Sequence, residues 1–88
     1  MKYVGGSMGF AGAISILQLT GSRVGVARAG WNGKGMWLEL IRAGNAMHQG
    51  FPMQDCIGMK TADDKMQPGW LASQADLLAW DWYRVELP

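Results

Sequence analysis

"GWNGKGMWL", residues Gly30–Leu38, sets two tryptophans around three glycines, an asparagine and a lysine. Its flanks decide what it is. Before it, Arg23–Arg28 alternates Val24 and Val26 with the small Gly25 and Ala27, the two-residue period of a strand. After it, Met36–Ile41 alternates again, with Trp37, Glu39 and Ile41 on one face and Met36, Leu38 and Leu40 on the other, which reads as core. Residues 29–35 therefore read as a glycine-rich turn between two strands. A Walker phosphate loop needs Ser or Thr after its lysine, whereas Lys34 is followed by Gly35. A dinucleotide-binding fingerprint needs a helix after its glycines, and here a strand follows. Two readings stay open: a hairpin pinned by indole packing, or a cradle in which indoles stack on a base and turn amides meet an anion.

Upstream, Phe10, Ala13, Ile14 and Leu17 share one helical face, widened by Ile16 and Leu19, and Gly21 suits a left-handed stop. Lys2 and the mild apolar run Met8–Leu19 loosely resemble a signal peptide. Gly9, Gly12 and Gln18 break the run, which is read as a helix of the mature protein and is too short for the roughly 20 apolar residues of a bilayer span. Downstream, Arg42–Cys56 lacks a clear period and reads as a long loop. Ile57–Thr61 reads as a strand, Ala62–Lys65 as a turn, and Met66–Leu71 as a strand whose Pro68-Gly69 marks a bulge or an edge. Ser73 with Asp76 three residues later is a shortened capping box opening a helix from Gln74 to about Trp80, with Leu77 and Leu78 as core. Trp82–Leu87 is a last alternating strand. The expectation is one α+β domain over residues 1–88, with about five mostly antiparallel strands and two short helices.

A chain of 88 residues has a modest core, and its five tryptophans are hard to bury in it; both point to a homo-oligomer. The single cysteine, Cys56, suits a reducing compartment, here the cytoplasm. A net charge of +1 is too small for a general nucleic-acid binder. The charge is nevertheless uneven: residues 1–38 carry Lys2, Arg23, Arg28 and Lys34 with no acid, and residues 39–88 carry all seven acids against four bases. Gathered into one concavity, the basic half would attract a small anion such as a phosphate; scattered, it is ordinary solvated charge.

Enzymatic chemistry is thinly represented. His48 is the single histidine and lies in the glycine-punctuated stretch, where solvent exposure is its usual fate. One histidine and one cysteine cannot supply the clustered ligands of a zinc site. Nothing specifies a third group to orient a Cys56–His48 pair, and Asp63-Asp64 reads as a turn former. No cofactor is expected. "WLASQADLLAWDW", Trp70–Trp82, is the second stretch of interest. Ser73, Gln74 and Asp76 crowd a first helical turn, where free amides favour anions, although Ser73 and Asp76 serve equally well as a plain cap.

Three blocks, "VARAGWNGKGMWLEL", "MKTADDK" and "WLASQADLLAWDW", together resemble a family of small phage and prophage proteins, the second type of Thoeris anti-defence protein. The resemblance covers about residues 10–86, with the blocks in the family's order. It implies a non-enzymatic protein that sequesters cyclic nucleotide signals of bacterial defence enzymes, notably glycocyclic ADP-ribose and in some members cyclic dinucleotides. It also implies a homotetramer with pockets between subunits. Ligand contacts are then expected from Trp31, Asn32, Gly33, Lys34 and Met36, from Lys60 and Thr61, and from Ser73, Gln74, Asp76 and Trp80. The chain departs from the family pattern in Arg42–Cys56, at Pro68-Gly69, and at Trp80, where an acidic residue is expected. A small nucleotide-signal hydrolase and a tryptophan-rich protein-interaction module are the competing functional classes.

Overall fold

The computed structural model describes the backbone of residues 1–88 and every side chain except that of Asn32. Its framework is a six-stranded antiparallel sheet in the order β1-β8-β2-β3-β6-β7, where β1 is Lys2–Met8, β2 Val24–Arg28, β3 Trp37–Ile41, β6 Cys56–Lys60, β7 Met66–Pro68 and β8 Trp82–Glu86. Helix α1, Phe10–Leu19, joins β1 to β2. Because β8 runs antiparallel to both, β1 and β2 are parallel, and α1 is a crossover that leaves a slot for the last strand. The α+β expectation holds, and β7 is the edge strand that its proline allows.

The core lies between α1 and one face of the sheet. Ala13 and Leu17 of α1 pack on Val26, Leu38 and Trp82, all with 2% or less of their surface exposed. Val26 and Leu38 are register partners, so the face assigned to Leu38 from its alternation is the one that α1 covers. The other face has no helix. There Ala27 and Val85 are also fully buried, and the rings of Tyr3 and Tyr83 meet at 5.1 Å.

Several elements differ from expectation. The N-terminal strand carries no sequence signature: Gly5-Gly6 interrupts its alternation, and its pairing changes register between Val4 and Met8, with Gly5 at φ +76°. Strandness there comes from pairing with β8 rather than from local pattern. Arg42–Cys56 is not all loop, because β4, Met47–His48, and β5, Phe51–Pro52, form a small hairpin. Its two-residue turn, Gln49-Gly50, has φ of +50° and +84°, the geometry that Asn-Gly would have announced and Gln-Gly does not. Helix α1 ends at an extended Thr20, and the left-handed residue of the link is Arg23 at φ +69°, not Gly21. Leu19 is 84% exposed in the chain instead of extending the buried stripe.

Helix α2 is shorter than expected, Gln74–Leu78, and buries none of its residues; Leu77 and Leu78 are exposed, not core. What it has is a complete capping box. The Asp76 amide donates to Ser73 Oγ at 3.1 Å, and the Ser73 amide donates to Asp76 Oδ2 at 3.1 Å. Burial pushes the Asp76 carboxyl up, but the Ser73 amide and hydroxyl, and then Arg28, outweigh it and hold it below its ordinary value. A depressed carboxyl pKa stabilises the fold above the unfolded value of about 3.9, and that contribution is lost as pH falls through the folded value.

Two predictions follow from these contacts. A Cβ on Gly25 would stand 2.5 Å from the Leu38 carbonyl oxygen, whereas one on Gly21 meets nothing within 4 Å. Urea unfolding should place Gly25→Ala about 1–3 kcal/mol below the parent and leave Gly21→Ala nearly unchanged. Equal effects would mean that β2 and β3 have room to separate. Ser73→Ala should cost about 1 kcal/mol at pH 7, with a smaller penalty once Asp76 protonates at acid pH. A penalty that does not change with pH would remove Asp76 from the cap.

Candidate functional site

The glycine-rich stretch closes on itself. The amide of Trp31 donates to the Arg28 carbonyl at 3.0 Å, and the amides of Lys34 and Met36 donate to the Trp31 carbonyl at 3.0 and 3.2 Å. Asn32–Lys34 is a short 3-10 turn, and Gly30 and Gly35 take φ of +89° and +64°, which a side chain would resist. The amides of Lys34 and Met36 thus point back into the loop and do not belong to an outward-facing anion nest. Gly33 and Lys34 are exposed, and the Lys34 ammonium has no hydrogen-bond or ion-pair partner among the described residues. Asn32, expected to contact ligand, lies outside the described side chains.

Trp31 is half-buried and sets its ring edge-on to Trp82, with centroids 5.4 Å apart and planes at 75°. Trp82 also meets Phe10 at 5.4 Å and Trp70 at 6.2 Å. Its indole N–H donates to the Asp76 carbonyl at 2.9 Å, so the ring that supports Trp31 also holds the first turn of α2. The glycine turn and the serine-led helix start, 40 residues apart in the chain, come to one side of the molecule.

Arg28 makes the second link. Its Nη1 lies 3.1 Å from Asp76 Oδ1 and its Nε lies 2.9 Å from Asp81 Oδ1. Asp81 chiefly, against the opposing effect of burial and then with help from Asp76, holds the guanidinium pKa above its ordinary value. The backbone reinforces the link, because the Ala29 amide donates to the Asp81 carbonyl at 2.9 Å. The sequence leaves open whether Arg28 faces ligand or solvent and assigns Asp81 no role. The available signal was a lone arginine closing an apolar strand and an aspartate between two tryptophans.

The remaining expected residues divide by role. Lys60 Nζ donates to the Gly35 carbonyl at 2.9 Å, pairs with Asp64 and stands 5.1 Å from the centre of the Trp37 ring, so it clamps the end of the turn. Thr61 Oγ1 accepts from the Lys65 amide and bonds Asp63, which shapes the β6–β7 turn. Asp63 and Asp64 are each paired with a lysine, as turn formers. Met36 follows the turn and is half-buried, and Gln74 is exposed at the start of α2. Trp80 stands elsewhere, 79% exposed beside Gly9, where a Cβ would come within 2.9 Å of its ring. It lines a cleft of about 270 Å³ with Phe10, Leu77 and Leu78. A second cleft, of about 240 Å³, lies between the end of α1 and β2–β3. Neither is lined by Trp31–Lys34. His48 is exposed on the small hairpin. Among the described residues no three His, Cys, Asp or Glu gather as metal ligands, and no helix is long and apolar enough to cross a membrane.

Comparison with known proteins agrees with the three sequence blocks. The profile of the Thoeris anti-defense 2-like domain matches residues 8–85. A curated relative, Thoeris anti-defense 2 of Bacillus phage SP01, is 34% identical over 86 residues, spanning 85% of this chain and 91% of the relative. The matched span runs from the end of β1 into β8, and so includes the glycine turn, the Arg28 link and the capped start of α2. This chain belongs to the Thoeris anti-defense 2-like family.

Proposed function

We propose that this protein binds a cyclic nucleotide immune signal of the glycocyclic ADP-ribose kind, or a cyclic dinucleotide, and withholds it without degrading it. Family membership supports the anti-defence role. The observation that carries the ligand reading is the meeting of the Trp31 turn and the α2 start around Trp82. Trp31 offers its open side to a base, a stack worth about 1–3 kcal/mol. Lys34, beside Asn32 and the exposed Gly33, meets the phosphates, and Gln74 reads a polar edge next to Ser73 and Asp76. Met36 and Lys60 hold the turn through the Trp31 and Gly35 carbonyls, and Thr61 follows Lys60 at the end of β6. The site lies open on a single chain, so a second copy would wall it, and the exposed Trp80 with Leu77 and Leu78 offers apolar surface for such a copy. The assembly is then a homodimer or homotetramer. Excluding water in this way strengthens charge-assisted hydrogen bonds to a pyrophosphate. The protein works without a cofactor, in the cytoplasm of the infected bacterium, and needs neither nucleic acid nor membrane.

Glycocyclic ADP-ribose at 100 times its Kd should stabilise the protein by about 2.7 kcal/mol, read as a rise in Tm. Denaturing the complex should release intact ligand at no more than one equivalent per site. Turnover beyond that amount would indicate a hydrolase, and no shift with any cyclic nucleotide would favour a protein-interaction module. Trp31→Ala should weaken binding at least tenfold while the oligomer, measured by light scattering, is unchanged.

A further inference from the structure

We propose that Arg28 is a positioning residue of this site, a strut that fixes the Trp31–Lys34 turn against the first turn of α2 without touching the ligand. The inference rests on the binding reading above. Arg28 ends β2, and its carbonyl accepts from the Trp31 amide and from the Tyr3 hydroxyl, so its backbone sets where the turn begins. Its side chain reaches across to two carboxylates on two further segments, Asp76 inside α2 and Asp81 just before β8.

Helix α2 needs such a strut. Five residues are far too few for a helix to persist on its own, and this one has no buried face to hold it down. Its placement rests on the contacts of Asp76: the cap with Ser73, the bond from Trp82 and the ion pair with Arg28. The cluster of one guanidinium and two carboxylates carries a net charge of −1, which would repel a phosphate. Arg28 and Asp76 therefore act on each other and not on an anionic guest, which moves Asp76 from the ligand contacts to the frame. The geometry also demands arginine. A planar fork can hold two carboxylates from Nε and Nη1 at once, whereas a lysine ammonium is a single point charge on a flexible stem. The pair is largely covered, with side chains 26% and 16% exposed, but Asp76 keeps its Ser73 cap when Arg28 is replaced, and Arg28 keeps Asp81 when Asp76 is replaced, so loss of the pair should disturb alignment more than overall stability.

The test uses full-length Arg28→Lys, Arg28→Gln, Asp76→Asn and the Arg28→Gln/Asp76→Asn double variant. Near-UV circular dichroism of the free proteins reads the Trp31–Trp82 edge contact, with Trp31→Phe identifying the Trp31 share of the signal. Calorimetry with glycocyclic ADP-ribose reads affinity. Both Arg28 variants should lose the Trp31 signal and at least tenfold in affinity while Tm falls by only a few degrees, and lysine should not rescue. The double variant should bind no worse than the weaker single variant. It also retains the −1 charge of the cluster, so its affinity should keep the parent's salt dependence. Parent-like binding and dichroism in Arg28→Lys would overturn the proposal, as would a flattened salt dependence in the double variant, which would mark Arg28 as a direct phosphate contact. Should Arg28→Gln fail to fold, Arg28→Lys and Asp76→Asn carry the same comparison. If the parent binds no cyclic nucleotide, the ligand reading falls by itself. The dichroism still decides the strut, because an unchanged Trp31 signal in the Arg28 variants overturns it regardless of ligand.

Discussion

Trp82 has no exposed surface, and rings from three other segments meet it: Phe10 at the start of α1, Trp31 in the glycine turn, and Trp70 ahead of α2. Its one polar atom, the indole N–H, is satisfied by the Asp76 carbonyl. A buried indole without a partner would cost what an unmade hydrogen bond costs, so ring packing and helix placement are one constraint. Remove the ring and the core loses its largest buried side chain, the turn loses its floor, and α2 loses an anchor.

Charge supplies the second constraint, and it works across the two halves of the sequence. The basic residues of the first 38 positions do not gather into one concavity. Arg28 is committed to Asp76 and Asp81, both from the acidic half. Lys60, from that acidic half, in turn clamps the glycine turn through the Gly35 carbonyl. Each half thus holds the other's loop in place. Lys34 stands exposed at the end of the turn.

How much of this was legible in the sequence depends on whether the signal was local. The capping box at Ser73, the alternation that buries Leu38 and the antiparallel α+β class all rest on neighbouring residues, and all are present in the structure. The strand at Lys2–Met8 exists because β8 pairs with it, and no window of seven residues containing Gly5-Gly6 carries that fact. Leu77 and Leu78 look like core because leucines usually are, but α2 is too short and too peripheral to bury them. For the candidate site, the two stretches were visible as blocks, while their joint support was not. Arg28, Asp81 and the Trp82 N–H act at separations of 48, 53 and 6 residues, and only the last is near enough for a pattern to register.

A binder that must hold its guest without transforming it benefits most from groups already in place, because ordering side chains and loops on binding is paid out of affinity. The proposed function would draw on such groups in the turn and its supports. The turn amides of Lys34 and Met36 are spent on the Trp31 carbonyl, which stiffens the loop at the expense of donors for a ligand. Lys60 closes the far end, and Arg28 and Trp82 fix the near one. Among the described residues, neither of the two clefts above is lined by the turn. Under the proposed function a second copy would supply the missing wall, and so would belong to the site instead of merely covering apolar surface.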